Sequence, residues 1–159
     1  MSTSAKRIFW TVVIAGALVS SLGMGIRQNF GLFLPPITAD LGLGRETFAF
    51  AMALQNILWG IFTPITGALA DKYGSGRMIA IGGVVYAGGL VIMANATGVT
   101  DLNIGAGLFI GFGQAAAGFA VVLAAVARRV SAEKRSLALG IASAGGSFGQ
   151  FYMAPVSLG

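Results

Sequence analysis

Gly67-Ala68-Leu69-Ala70-Asp71-Lys72-Tyr73-Gly74-Ser75-Gly76-Arg77 packs three of the chain's fifteen acidic and basic side chains into eleven residues. The flanks are the opposite. Thr47 to Ala70 before it and Met78 to Thr100 after it contain no acid and no base. Each flank exceeds the roughly 20 apolar residues that cross a bilayer. The stretch therefore reads as a tight polar link, with Gly74 at the turn, between two membrane spans. Moving outward, Ile8 to Ile26 is uncharged, Arg27 follows, and apolar character resumes through Pro35-Pro36. Leu102 to Ala127 and Ser136 to Gly159 are two further uncharged runs. The pattern predicts an all-α membrane protein of five transmembrane helices, at about 8–37, 47–70, 78–97, 103–127 and 137–159. Composition agrees: 56% of residues are apolar and 9% charged, against roughly 25% charged in soluble globular proteins. Lys6 and Arg7 ahead of an apolar stretch resemble a secretory signal. The run is too long for one and four more spans follow, so it reads as a retained helix.

Lys and Arg in the connections set orientation. With the N-terminus inside, the cytoplasmic segments hold Lys6, Arg7, Lys72, Arg77, Arg128, Arg129, Lys134 and Arg135. The external connections hold only Arg45. That bias predicts a multi-pass protein of the cell membrane with a cytoplasmic N-terminus. It also accounts for the net charge of +5 without nucleic acid as a partner.

Several chemistries are excluded. The chain has no Cys and no His, which removes thiolate sites, the Ser-His pair and the commonest metal ligand. The acids never cluster at ligand spacing, so no metal and no cofactor are expected. Gly145-Gly146-Ser147-Phe148-Gly149 matches the nucleophile-elbow pattern, but that chemistry needs a strand-to-helix turn and a base. Gly111-Phe112-Gly113 lacks the strand and third glycine of a dinucleotide fingerprint. An enzyme is not expected.

Twenty-five glycines, about twice average usage, lie mostly inside the spans. Pairs four apart, Gly107/Gly111 and Gly145/Gly149, let helix backbones approach closely. In the fifth span Gly140, Gly145 and Gly149 are candidate packing positions. Static packing and the rocking of smooth helices during alternating access are both compatible with this pattern.

Each predicted helix carries a polar side chain near mid-membrane, counted at about 1.5 Å per residue from its nearer end. They are Arg27, Gln55 with Asn56, Tyr86, Gln114 and Gln150. Transporter binding sites lie at that level. Arg27 is the sharpest, because a guanidinium there costs about 2.5–3.5 kcal/mol and needs a cavity or a partner. A bound carboxylate would suit its planar fork. An arginine bonded to backbone carbonyls, or one snorkelling outward, is the structural alternative. The amides could equally bridge neighbouring helices, and Trp10 and Trp59 read as anchoring or packing residues.

Gly67, Asp71, Lys72, Gly74 and Arg77 stand where the major facilitator superfamily carries its signature between helices 2 and 3. Lys134-Arg135 with Ala138, Gly140, Ala142, Ala144, Gly145 and Gly149 is similar to the helix 4–5 signature of its monocarboxylate and oxalate/formate porters. Gln55-Asn56, Trp59-Gly60 with Pro64, and Phe30-Gly31 through Pro35 resemble bacterial members. The resemblance covers residues 1–159 in order and implies a partial amino-terminal domain. Members typically have twelve helices, so the resemblance implies that a carboxy-terminal half, or a partner chain, completes the protein. It implies secondary transport of a small organic anion, such as a monocarboxylate or dicarboxylate, by alternating access. With no acid at mid-membrane here, coupling would be by exchange or by a proton carrier in the other half. A transport-incompetent half or an assembly subunit is the alternative. In that family helices 1, 2, 4 and 5 border the cavity, so the resemblance ranks Gln28, Gln55 and Gln114 after Arg27 as substrate contacts. It also implies a conformational gate of Asp71, Lys72, Gly74 and Arg77, with Asp71 pairing to Arg128 or Arg129.

Overall fold

The computed structural model describes residues 3–158, and every element in them is helical. In chain order they are α1 (Thr3–Gln28), α2 (Phe30–Leu41), α3 (Arg45–Tyr73), α4 (Ser75–Ala94), α5 (Val99–Leu102), a π-helical segment (Asn103–Phe109), α6 (Ile110–Ala117), α7 (Phe119–Arg129) and α8 (Ala132–Leu158). Gly159, the last residue of the predicted fifth helix, lies outside the described residues. Lys6–Leu32, Arg45–Tyr73, Ser75–Ala94 and Val99–Arg129 are each long and apolar enough to cross a membrane. Large apolar side chains point outward along these helices, with Val84 74% exposed, as hydrocarbon-facing positions should. α8, at 27 residues, is long enough to span as well. It is not among those four because its middle is glycine, alanine and serine, a composition its packing explains.

Two predicted helices are interrupted. The run expected over 8–37 is α1 and α2, separated at Asn29, whose N–H bonds back to the Ile26 carbonyl at 3.2 Å. Asn forms such local turns more readily than most residues. The run expected over 103–127 opens with the π segment and breaks again at Gly118, where φ is −70° and ψ 169°. That break strands carbonyls at the end of α6, since the last turn of a helix lacks internal donors. Thr66 on α3, itself buried, donates its hydroxyl to one of them, Ala115, at 2.5 Å.

Contacts divide the chain into two compact units, one of residues up to Asn29 with those from Val122 onward, the other of 30–121. In the second, the π segment and α6 pack against both α3 and α4 through opposed glycines. Gly107 and Gly111 meet Leu54 and the Gln55 backbone on α3, while Gly105 and Gly113 meet the Met93 and Tyr86 amides on α4. A methyl placed on Gly113 would lie 2.6 Å from the Tyr86 nitrogen, too close for any side chain. α3 ends at Gly74, where φ is +98° and the N–H caps the Ala70 carbonyl at 3.0 Å. Only glycine adopts that backbone freely, so α4 starts at once.

In the first unit, α1 and α8 run parallel in a shared four-residue rhythm. Ala17 meets Gly145, Ser21 meets Gly149, and Gly25 meets Met153. Gly140, grouped with Gly145 and Gly149 from sequence, is exposed, and a methyl there would meet nothing within 4 Å among the described residues. The reason is angular: at about 100° per residue, Gly140 lies roughly 140° around the helix from Gly145. Phe9, Val13, Val126, Val130, Ala138 and Ala142 form the apolar core that joins α1, α7 and α8.

Candidate functional site

α1 presents one buried stripe. Phe9, Val13, Gly16 and Ser20 follow one another at helical spacing, all buried, and Arg27 continues the same line seven residues after Ser20. Arg27 is half-buried in the last turn of α1. Gln28, one residue and about 100° further round, is exposed. The structure thus separates Arg27 from the neighbour that the resemblance ranked just after it. Asn29 follows in the turn and is only 3% exposed. Its amide nitrogen has no hydrogen-bond partner among the described residues, and neither has the Ser20 hydroxyl. A buried, unused donor is uncommon in folded proteins. Sequence reading passed over Asn29, because a single Asn two residues after an intramembrane Arg carries no pattern of its own.

The depth of Arg27 also changes. Counting back from Ile37 runs through the turn at Asn29, so it is not a helical distance. Along α1 itself Arg27 stands about 30 Å from Arg7. It therefore belongs to the half of the span remote from the basic end, rather than to its midpoint.

The other unit holds an amide pair. Gln55 Nε2 donates to Gln114 Oε1 at 3.2 Å, which fixes the two at one level, about 15 Å along α3 from Arg45. Gln55 is 2% exposed and Gln114 half-buried. Gly111 makes this possible by letting the fourth span lie against the Gln55 backbone. Such a pair satisfies two amides in an apolar setting, and Gln114 keeps the accessible edge. Asn56 turns away and bonds the Met52 carbonyl of its own helix at 2.7 Å.

The predicted gate residues sit at helix ends. Asp71 and Lys72 are exposed in the last turn of α3, with the Lys72 ammonium 5.3 Å from the Tyr73 ring centre. Arg77 is exposed in the first turn of α4, and Arg128 and Arg129 are exposed in the last turn of α7. Among the described residues no group of three acids, cysteines or histidines is placed to hold a metal.

Residues 13–159 match the family model of the Major Facilitator Superfamily. The chain belongs to that superfamily. It is similar to monocarboxylate transporter 11 of Mus musculus, 31% identical over 92% of this chain and 32% of that protein. Monocarboxylate transporter 13 of Rattus norvegicus is 30% identical over 92% of this chain and 34% of its own length. The multi-drug resistance efflux pump PmrA of Streptococcus pneumoniae is 34% identical over 71% of this chain and 29% of its own. The chain spans about a third of the length of these curated relatives. As a superfamily member with several apolar spans it is a multi-pass membrane protein of a transporter family.

Proposed function

We propose that this chain supplies part of the substrate path of a secondary transporter for a small organic anion, such as a monocarboxylate or dicarboxylate. The observation that carries this reading is Arg27 on the buried stripe of α1, followed by the unused Asn29 donor in the same turn. A carboxylate needs a guanidinium fork and further donors. Arg27 and Asn29 supply both chemistries, with Gln28 in a lesser role, and Gln114 is a separate candidate contact. Movement would be by alternating access, coupled to exchange or to a proton carrier outside these residues. In this reading the N-terminus is cytoplasmic and the membrane is the cell membrane. Asp71, Lys72, Gly74 and Arg77 would gate the cytoplasmic side. Similarity to two monocarboxylate transporters supports the substrate class.

The test is uptake of labelled lactate and oxalate by proteoliposomes holding the complete transporter. Losing charge-assisted hydrogen bonds of about 1.5–3 kcal/mol predicts that Arg27→Ala raises KM roughly 10- to 150-fold. Arg27→Lys should recover only part of this, since an ammonium lacks the fork. Unchanged KM and rate in Arg27→Ala, with normal gel-filtration behaviour, would remove Arg27 from the path.

A further inference from the structure

Six of the ten basic residues, Lys6, Arg7, Arg128, Arg129, Lys134 and Arg135, lie at one end of one compact unit. Packing brings them together. Phe9 of α1, Val126 and Val130 around the end of α7, and Ala138 of α8 share a single apolar cluster, and the Lys134 ammonium stands 5.6 Å from the Phe9 ring centre. Lys6, Arg7, Arg128, Arg129 and Arg135 are all exposed. Glu133 is the one acid among them, while the chain's other four bases are matched by its other four acids. The whole net charge of +5 is thus concentrated here. The place matters as much as the sign. One apolar span begins at Lys6 and another ends at Arg129, so the cluster stands at the level of lipid headgroups. The N-terminus of α8, a 27-residue helix, adds its partial positive charge to the same surface.

We propose that this end of the unit is a binding surface for anionic phospholipid headgroups. A phosphate diester offers oxygens that guanidinium forks pair with two at a time. Juxtamembrane clusters of four to eight bases gain about 1 kcal/mol, or about fivefold in affinity, per base near an anionic surface. The function is distinct from anion transport, since Arg27 lies about 30 Å away along α1. It would tie the protein's stability and orientation to the lipid of one leaflet.

The experiment titrates the purified protein in neutral detergent with mixed micelles of phosphatidylglycerol or of phosphatidylcholine, following retained lipid by native mass spectrometry. Phosphatidylglycerol should bind much more tightly, and less so as salt rises. The triple variant Lys6→Gln, Arg7→Gln, Arg135→Gln should weaken it on the order of 100-fold. Glu133→Gln, which leaves the bases and the core intact, should tighten it about fivefold and settles the matter if the triple variant misfolds. Equal retention of the two lipids, or a Glu133→Gln protein indistinguishable from the parent, overturns the proposal. Displacement of the lipid by inorganic phosphate at matched ionic strength also overturns it, in favour of a site for free anions.

Discussion

Gly149→Ala tests whether the α1–α8 seam holds the first unit together. A methyl on Gly149 would overlap the Ser21 carbonyl oxygen and approach the Ser21 Cα to 2.5 Å and its carbonyl carbon to 2.6 Å. All three atoms are backbone, so no rotamer change relieves the clash and the helices must part. The seam has three layers, at Gly145, Gly149 and Met153, and a forced opening at the middle one loosens its neighbours. A gap of about 0.5–1 Å forfeits a quarter to a half of each contact worth about 0.1–0.2 kcal/mol. Over roughly 40 atom pairs this amounts to about 2 kcal/mol, within the 1–3 kcal/mol typical of overpacking. For a chain of this size that corresponds to a fall in Tm of about 4–8 °C. The measurement is thermal unfolding of the detergent-solubilised protein, read by gel filtration of heated samples. Gly140→Ala is the internal control: its methyl meets nothing within 4 Å among the described residues, and alanine is the better helix former. Its Tm should be unchanged or raised. Equal Tm values for the two variants would refute the seam.

The remaining expectations are smaller. In a double-mutant cycle, Gln55→Leu and Gln114→Leu should couple by about 0.6 kcal/mol, the usual worth of a membrane hydrogen bond; additive effects would mean the pair contributes nothing. Thr66→Val should destabilise by about 1 kcal/mol and speed hydrogen exchange at the end of α6, because the Ala115 carbonyl loses its donor. At the start of the fourth span, Asp101 accepts from both the N–H and the hydroxyl of Thr97, at 2.9 and 2.8 Å. Asp101→Ala should therefore raise amide exchange at Thr97 while leaving the Tm in place.

What the sequence made legible was whatever depends on where charge is absent. The positions of the spans follow from uncharged runs, and the sharp link at Gly74 follows from a glycine among charges. What stayed hidden depends on angle and on backbone geometry. Gly140 and Gly145 look alike in composition, but a spacing of five residues puts them on different faces, whereas a spacing of four keeps Gly145 and Gly149 on one. Arg27 and Gln28 are adjacent in sequence and about 100° apart on the helix, which separates the half-buried from the exposed side chain. The interruptions at Asn29 and Gly118 are invisible to hydropathy, since an apolar run reads the same whether its helix is continuous or broken.

Those interruptions bear directly on function. A continuous helix consumes its own backbone donors and acceptors, leaving only side chains for recognition. A broken one releases them within the membrane, which is tolerated only where protein or a cavity covers them. At Gly118 the released carbonyls are partly reclaimed, since Thr66 takes the one on Ala115. The break at Asn29 is different, because a buried side-chain donor there finds no partner among the described residues and Arg27 stands two residues before it. Asn29→Leu distinguishes a site from a defect. If Asn29 is merely an unsatisfied group, an apolar replacement of similar size should leave transport intact and raise stability by about 1–3 kcal/mol. If it meets substrate with Arg27, the same change should weaken uptake of a carboxylate while the Tm rises or holds. A variant that is both more stable and fully active would leave Arg27 to act without Asn29.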